Sequence, residues 1–460
     1  MNIRPLTVAL LLALPGCALW RDFTLPETPA PEQWKTEAGK DASWPDAEWW
    51  KQFKSPQLAA QEEQANNANF DLQAAIARVR QADAQATING APLLPSITAG
   101  GDAGRSRSAG TRRVANAYEA TLNASYELDF WGRNWATYQS AKALAEASRF
   151  DRETVRLTTL ASVATTYFDI LGTKQRLAVA QENVANADQL LTTIRKRYKA
   201  GIATALDLAQ QENIVATQRA AMPPLEQHLQ QAMDAQGLLL GALPESVTLP
   251  QENLQDIMIP PVISGLPSEL LQRRPDVQSA EAQLAAAHAD IIAARAQFFP
   301  NISLTGAGGY QSAAFAGLFR PDSILWSAAA SATQPIFEGG LLRGQLELQK
   351  ARYDELLQNY RKSVAAAFTD VEDALVAVKQ TASGEEAQQL AVTTAREAYK
   401  LTQQQMTGGI IDITTVLNTQ RTLFSAEDAL VQSKLLHLQA MVSLYRALGG
   451  GWKTGEDNGK

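Results

Sequence analysis

The sequence predicts an α+β fold, mainly α-helical, made of two similar halves that each contain two strands and a very long helix. Three observations support this prediction. The chain has 460 residues and repeats itself at an offset of about 205 to 208 residues. Segments of alternating apolar and polar residues, typical of strands, occur in both halves. Each half then continues into apolar residues spaced three and four apart, which indicates a long helix.

Both halves follow the same order: helix, two strands, very long helix, tight turn and returning helix. Four pairs of segments align them: 91–97 with 296–302, 130–132 with 337–339, 199–202 with 407–410, and 239–243 with 444–448. The predicted organisation is a signal peptide, 1–16; an N-terminal segment, 17–56; a first repeat, 57–243, with strands at about 96–130 and a tip near 201; a proline-rich joint, 244–267; a second repeat, 268–448, with strands at about 301–337 and a tip near 409; and a tail, 449–460.

Composition excludes several classes of function. The chain has 41 Lys and Arg against 48 Asp and Glu, a net charge of −7 without a basic block, which argues against a nucleic-acid partner. A single cysteine excludes an intramolecular disulfide framework and any multi-cysteine zinc site. The three histidines, His228, His288 and His437, are far apart. We therefore predict no metal site and no catalytic residues.

The first twenty residues have the pattern of an export signal. Arg4 provides a positive region, and the apolar run 6–14 has signal-peptide length but is too short to span a bilayer. The run ends in the sequence LPGC at 14–17, which resembles the bacterial lipobox. We predict that Cys17 becomes the first mature residue and carries diacylglycerol and an N-acyl chain, its only cofactor-like groups. Ala18 is not the Asp that retains lipoproteins at the inner membrane, which favours the outer membrane. A plain secretory peptide is the alternative.

The strands carry the most informative pattern. From Tyr118 to Phe130 the even positions are apolar and the odd positions polar, a period of two over thirteen residues. A tilted membrane strand needs about 9–11 residues. A two-sheet periplasmic domain with an apolar inner face is the alternative. Four strands cannot close in lipid because their edges would stay unpaired. Three copies would supply twelve strands, enough for a β-barrel of channel size.

The long helices form the second informative pattern. The run from Arg133 to about Ala200 contains no proline, and it would extend for roughly 100 Å as a helix. Apolar and small residues follow a heptad spacing that predicts close helix packing. Its members are Leu177, Ala180, Val184, Ala187, Leu191, Ile194 and Tyr198; Val392, Ala395, Tyr399, Thr402 and Met406; and, on the return, Leu417, Phe424, Val431 and Leu438. Each half is thus predicted to form an antiparallel coiled-coil hairpin.

These features together resemble the TolC-like outer-membrane factor family, specifically its lipidated efflux branch. The resemblance covers essentially the whole mature chain. Its marks are Trp49-Trp50 with Phe53, and the segments 126–133, 272–276, 293–300 and 447–452. What it implies is a homotrimer, with a twelve-stranded outer-membrane β-barrel, four strands per chain, continuous with a long periplasmic antiparallel α-helical barrel. It also implies a periplasmic adaptor protein and an inner-membrane pump of the RND type as partners, besides outer-membrane lipid. Drugs or other solutes would pass outward.

Members of this family have a gate at the hairpin tips, and only some of its residues have counterparts in this sequence. An Asp that latches the closed state in the family corresponds to Asp207, but its expected partners fall on Met406 and Ile411. Acidic residues that line the family's constriction correspond to the neutral Thr415 and Asn418. We predict a gate in which Thr415 and Asn418 line the constriction, with Asp207 and Asp412 nearby. The alternative is that the two aspartates cap the returning helices.

Other functions stay open at this point. A duct for heavy metals or for type I secretion would use the same architecture, although scattered methionines weakly favour organic solutes. A lipid-anchored periplasmic coiled-coil scaffold without a pore is a third possibility. An enzyme is not expected, because no nucleophile set or phosphate loop has usable spacing. The segment 273–276 (RRPD) is interpreted as a helix start.

The loop between the first two strands is rich in arginine. It runs from Arg105 through Arg107 to Arg112 and Arg113, and on this topology it faces outside the cell. An ordinary solvated loop is the favoured interpretation, since charge clusters at turns are common. A contact with lipopolysaccharide phosphates is the other interpretation.

Overall fold

The fold is seen in a computed structural model that describes residues 23–26, 31, 33–36, 44–107, 114–262, 265, 267–408 and 410–452. Its helices and strands are α1 Pro56–Ala68, α2 Phe70–Gly90, β1 Ser96–Arg107, β2 Val114–Leu128, α3 Arg133–Lys199, α4 Ala205–Leu239, α5 Pro267–Arg273, α6 Pro275–Ala296, β3 Asn301–Ser312, β4 Ile324–Thr333, α7 Leu341–Thr407 and α8 Ile413–Ala447. The signal peptide, Cys17, loop residues 108–113 and most of the tail lie outside the described residues.

The duplication predicted from sequence has matching helix lengths in the two halves. The long helices α3 and α7 both have 67 residues, and the returning helices α4 and α8 both have 35. Each repeat begins with two helices rather than the single one expected. The sequence RRPD at 273–276 separates α5 from α6, and Pro275 is the first residue of α6, as predicted.

The compact units do not follow the sequence repeats. One unit contains Ala77–Arg149 and Ser279–Lys362, and the other contains Phe150–Gln278 and Ser363–Lys460, with flanking N-terminal residues in each. Every unit therefore takes segments from both repeats. In both units, apolar residues of one repeat pack against the other repeat.

The sheet of the first unit is a four-stranded antiparallel meander in the order β1-β2-β3-β4. Its central pair joins the repeats, since β2 pairs with β3 from Tyr118 opposite Ser312 to Leu128 opposite Ile302. Pairing continues without a bulge through all three ladders, so alternate residues of every strand stay on the same face. One face is apolar and contains Ile97, Leu122, Tyr126, Leu304 and Trp326; the other is polar and contains Thr98, Asn123, Glu127, Ser303 and Thr305.

Local hydrogen bonds fix the passage from strand to helix. The Asp129 carboxylate accepts hydrogen bonds from the backbone N–H groups of Asn134 (3.0 Å) and Trp135 (2.7 Å) in the first turn of α3. These donors have no partner within the helix, so a carboxylate there stabilises the start of α3. Beside it, the Trp131 indole stacks on Phe299 at 4.7 Å and donates to the Pro300 carbonyl at 2.8 Å.

The helical hairpins of the second unit share one apolar core near their tips. It contains Ala187, Leu190, Leu191 and Ile194 of α3; Ile214 and Val215 of α4; Val392, Ala395, Tyr399 and Met406 of α7; and Val416, Leu417, Leu423, Phe424 and Ala426 of α8. The heptad prediction is confirmed for most of these positions. It is wrong for Tyr198, which is 44% exposed because α3 ends one residue later and none of the described residues covers the ring.

The N-terminal segment packs against helices of the second unit. Trp49 and Phe53 are fully buried, and the Trp49 ring stacks on Tyr445 at 5.4 Å. Upstream, the Trp44 indole donates to the Glu269 carboxylate at 2.7 Å and lies 4.7 Å from the Arg273 guanidinium. The Phe53 ring also lies 5.0 Å from Phe168 of α3, so these contacts hold residues 44–53 against helices from both repeats.

Among the described residues, no helix combines the length and the apolar character needed to cross a bilayer.

Candidate functional site

The first hairpin tip is a short turn closed by a capping box. Gly201 adopts φ +75°, a conformation that a residue without Cβ adopts readily, and the Ile202 N–H returns to the Arg197 carbonyl at 2.9 Å. Thr204 is the N-cap of α4. The Asp207 carboxylate accepts from the Thr204 backbone N–H (2.7 Å) and hydroxyl (2.8 Å), and the Asp207 N–H donates to that hydroxyl (3.2 Å). Asp207 therefore stabilises the start of the returning helix.

The second tip is capped in a different way. Asp412 is itself the N-cap of α8, and its carboxylate accepts from the backbone N–H (2.9 Å) and the hydroxyl (3.0 Å) of Thr415. These hydrogen bonds from Thr415 lower the pKa of Asp412 below its ordinary value, so its fully exposed carboxylate is charged at neutral pH. Asn418, one turn further along, is exposed. The structure thus brings Asp412 and Thr415 into contact and leaves Asn418 free at the surface.

Two buried glutamines lie about two turns into the returning helices, behind the tips. Gln211 of α4 donates to the Ala187 carbonyl at 2.8 Å, and Gln420 of α8 donates to the Tyr399 hydroxyl at 3.0 Å. Both side chains are fully buried, and the Oε1 atom of each has no hydrogen-bond partner among the described residues. A buried polar group inside a coiled-coil seam lowers stability but favours one register. We infer that the pair restricts how the helices can slide within each hairpin.

Two polar contacts connect the hairpins to each other. The Arg176 guanidinium of α3 binds both carboxylate oxygens of Asp428 in α8, at 2.7 and 3.2 Å. Closer to the tips, the Arg197 guanidinium of α3 donates to the Met406 carbonyl in the last turn of α7 at 3.3 Å. Met406 is also part of the apolar core. Met406 is one of the positions where the family resemblance would place a partner for Asp207, and the contact found there comes from Arg197.

The sheet offers a surface suited to lining a conduit. Its polar face carries Ser, Thr and Asn hydroxyl and amide groups, and Ser303 and Ser331 hydrogen-bond across the β3–β4 pair at 2.7 Å. Near the loop end, Asp102 lies directly opposite Glu119 on this face. Opposed like charges destabilise a strand pair. Such a pair is tolerated where the side chains are hydrated, which fits a water-filled lumen.

The chain matches the family model described as outer membrane efflux protein over residues 62–242 and 266–450, that is, over both repeats. The chain belongs to the outer membrane efflux protein family.

Curated relatives of this efflux protein match along nearly its whole length. The pyoverdine export outer membrane protein OpmQ of Pseudomonas putida is 40% identical over 456 residues, covering 96% of each chain. The toluene efflux pump outer membrane protein TtgF of the same species is 34% identical over 474 residues, covering 98% of each. Among solved structures, the outer-membrane channel OprN is 28% identical with a TM-score of 0.90, over 95% of this chain and 100% of that one. The protein is therefore an outer-membrane channel component of an efflux system.

Sequence reasoning found only part of the tip geometry of this efflux protein. Asp207 and Asp412 both make capping contacts, as the alternative interpretation of these residues stated. A capping contact does not by itself exclude a role in the constriction. Reasoning from sequence missed Arg197, Gln211 and Gln420. Each glutamine lies among apolar residues in its helix, which is a weak signal of burial, whereas no local signal indicates that Arg197 reaches a backbone carbonyl 209 residues away.

Proposed function

We propose that three copies of the chain close their sheets into one twelve-stranded barrel, which forms the outer-membrane duct of a tripartite efflux system. The open edges of the sheet support this proposal, because within the described part of the chain β1 and β4 each pair on one side only. Unpaired strand edges in lipid cost several kcal/mol per group, and pairing β4 of one copy with β1 of the next removes that cost. The polar face would then line the lumen, and the apolar face would meet lipid.

In this proposal the hairpin tips meet a periplasmic adaptor and, through it, an inner-membrane pump of the RND type. Ile202 and Leu206 at the first tip and Ile410 at the second are 66–75% exposed, and such apolar residues favour a protein partner. The pump supplies the energy, and the duct performs no bond chemistry. The solutes carried are organic, since relatives are named for pyoverdine export and for toluene efflux. Those names do not favour a metal or secretion duct.

The purified full-length protein tests the duct and its anchor together. We expect a trimer by mass measurement in detergent and discrete ion conductance in planar bilayers. The same preparation should show Cys17 as the first residue, with the mass of three acyl chains attached. A monomer without conductance would overturn the duct and favour a scaffold. A chain that keeps its thiol while conducting would overturn only the lipid anchor.

The proposal keeps the four predicted gate residues at the tips, with Thr415 and Asn418 lining the constriction and Asp207 and Asp412 beside it. Asp207 and Asp412 would contribute six carboxylates in a trimer, which attract cations. Asp207→Asn with Asp412→Asn removes these charges while keeping an oxygen able to accept the capping hydrogen bonds. We expect a lower cation-to-anion permeability ratio with an unchanged melting temperature. Asp207→Ala with Asn418→Ala should raise the resting conductance above that of the wild type.

Asp234→Asn serves as the matched control for these changes, because it removes one carboxylate from the opposite end of α4. It should leave permeability unchanged. If the double Asn variant shows wild-type permeability and the Ala pair shows wild-type resting conductance, the aspartates are caps alone and the gate assignment fails.

A further inference from the structure

The loop end of the sheet places arginines on its apolar face. Arg105 lies opposite Asn116, and Arg107 lies opposite Val114. Residues directly opposite in an antiparallel pair share a face, and side chains alternate along each strand. Arg105 and Arg107 therefore lie on the same face as Ile97 and Tyr118, not on the polar face. The sequence pattern alone had assigned both arginines to a solvated loop.

The connection between β3 and β4 folds back onto this face. The Phe315 ring meets Tyr118 edge-on at 5.6 Å, and the Phe319 ring meets Tyr310 edge-on at 5.4 Å. Phe315 and Phe319 nevertheless remain 70% and 69% exposed. The chain therefore leaves most of both rings uncovered, and Arg320 follows directly after Phe319.

The distance along the sheet places these groups at the membrane surface. Tyr118 and Leu128 are ten residues apart on β2, about 33 Å along a strand. At a tilt of about 40° this is about 25 Å along the membrane normal, the height of the apolar band in outer-membrane proteins. Arg105 lies opposite Asn116, two residues beyond Tyr118, so the arginines begin about 5–7 Å outside that band. Headgroup phosphates lie at this level.

None of the three arginines has a partner within the described ranges. Arg105, Arg107 and Arg320 are exposed, and their side chains make no ion pair or hydrogen bond there. Asp322 is close in sequence to Arg320 but does not pair with it. Asp102 and Glu119 lie on the opposite face of the sheet. The charges of Arg105 and Arg107 therefore remain available on the apolar face, and that of Arg320 in the adjoining β3–β4 connection.

We propose that Arg105, Arg107 and Arg320 form a binding surface for the phosphate groups of the outer-leaflet glycolipid, flanked by the exposed rings of Phe315 and Phe319. Guanidinium groups bind phosphate through paired hydrogen bonds, and aromatic rings favour the boundary between headgroup and acyl chain. This inference rests on the sheet crossing the outer membrane with its loop end outside.

The test compares the full-length channel with two triple variants. Arg105→Gln/Arg107→Gln/Arg320→Gln removes the surface. Arg343→Gln/Arg352→Gln/Arg361→Gln removes equal charge from exposed positions of α7 and is the matched control. Native mass spectrometry with bisphosphorylated lipid A measures the apparent affinity. An arginine near an anionic lipid surface contributes about fivefold, so the first variant should bind roughly 100-fold more weakly. The control should bind like the wild type.

Two further probes identify the source of the phosphate. Lipid A without phosphates should bind the wild type as weakly as it binds the first variant. Inorganic phosphate at millimolar concentration should not displace the bisphosphorylated lipid. Equal affinity of the first variant and the wild type, or complete displacement by inorganic phosphate, would overturn the proposal.

Bilayer conductance separates this inference from the proposed duct. All three proteins should conduct alike, since none of the changed residues lies on the polar face of the sheet. Failure of the wild type to conduct counts against the duct itself. Normal conductance with unchanged lipid affinity counts against the arginine surface alone.

Discussion

Trp49→Ala is expected to lower the free energy of unfolding by about 3–5 kcal/mol, the usual cost of removing a fully buried tryptophan. Trp49 has no exposed surface, stacks on Tyr445 at 5.4 Å, and meets Trp50 and Phe53 edge-on at 5.8 and 6.2 Å. The cavity would open where the N-terminal segment contacts the end of α8. The segment cannot collapse into it without losing the aromatic contacts on both sides.

Guanidinium unfolding in detergent, followed by helical circular dichroism, measures this effect. Phe70→Ala is the matched control, because Phe70 is also aromatic but 61% exposed, and it should shift the midpoint little. A Trp49→Ala midpoint that coincides with that of the control would show that the segment does not anchor the fold.

Leu122→Arg is expected to destabilise the membrane-inserted protein by about 2–4 kcal/mol per chain, since an arginine on the lipid face near the bilayer midplane costs that amount. Leu122 is 60% exposed on the apolar face, opposite Ala99 on one side and Gly308 on the other. Three copies in a trimer would multiply the cost. We therefore expect insertion into the outer membrane to fall sharply.

Asn123→Arg is the control that the strand itself provides. It adds the same side chain one residue away, on the polar face opposite Thr98 and Ala307. It should insert normally and reduce cation conductance, since positive charges would now line the lumen. Trimer yield from membrane extracts and single-channel recording measure the two effects. If both variants insert equally, the assignment of the faces is wrong.

Patterns of short range were predictable from the sequence. The strand alternation and the heptad spacing depend only on neighbours within one strand or helix. The side chains that the heptad spacing predicts to be buried are mostly buried in the structure. Phe424, Val431 and Leu438, for example, are all buried. The capping contacts of Asp207 and Asp412 were also predictable from the sequence, because an N-cap contact spans only three residues.

Contacts of long range were not predictable in the same way. Nothing local indicates that β2 pairs with β3 of the other repeat, or that Arg197 reaches the Met406 carbonyl. Local rules can also mislead. Pro223 and Pro224 would ordinarily end a helix, yet α4 continues to Leu239. Buried residues at both ends of α4, including Val215 and Ala232, hold the helix against its neighbours across the interruption.

The sequence by itself determined the class of this protein: a duplicated chain with long paired helices, four amphipathic strands and a family motif set that covers both repeats. The apolar periodicities of its strands and helices are local, so they can be recognised without knowledge of the fold. Only the tertiary structure decided which face of the sheet each side chain occupies at the strand ends. Arg105 and Arg107 belong to a charged loop in the sequence, but the strand register carries them onto the lipid side, because a side-chain period of two continues as far as the ladder does.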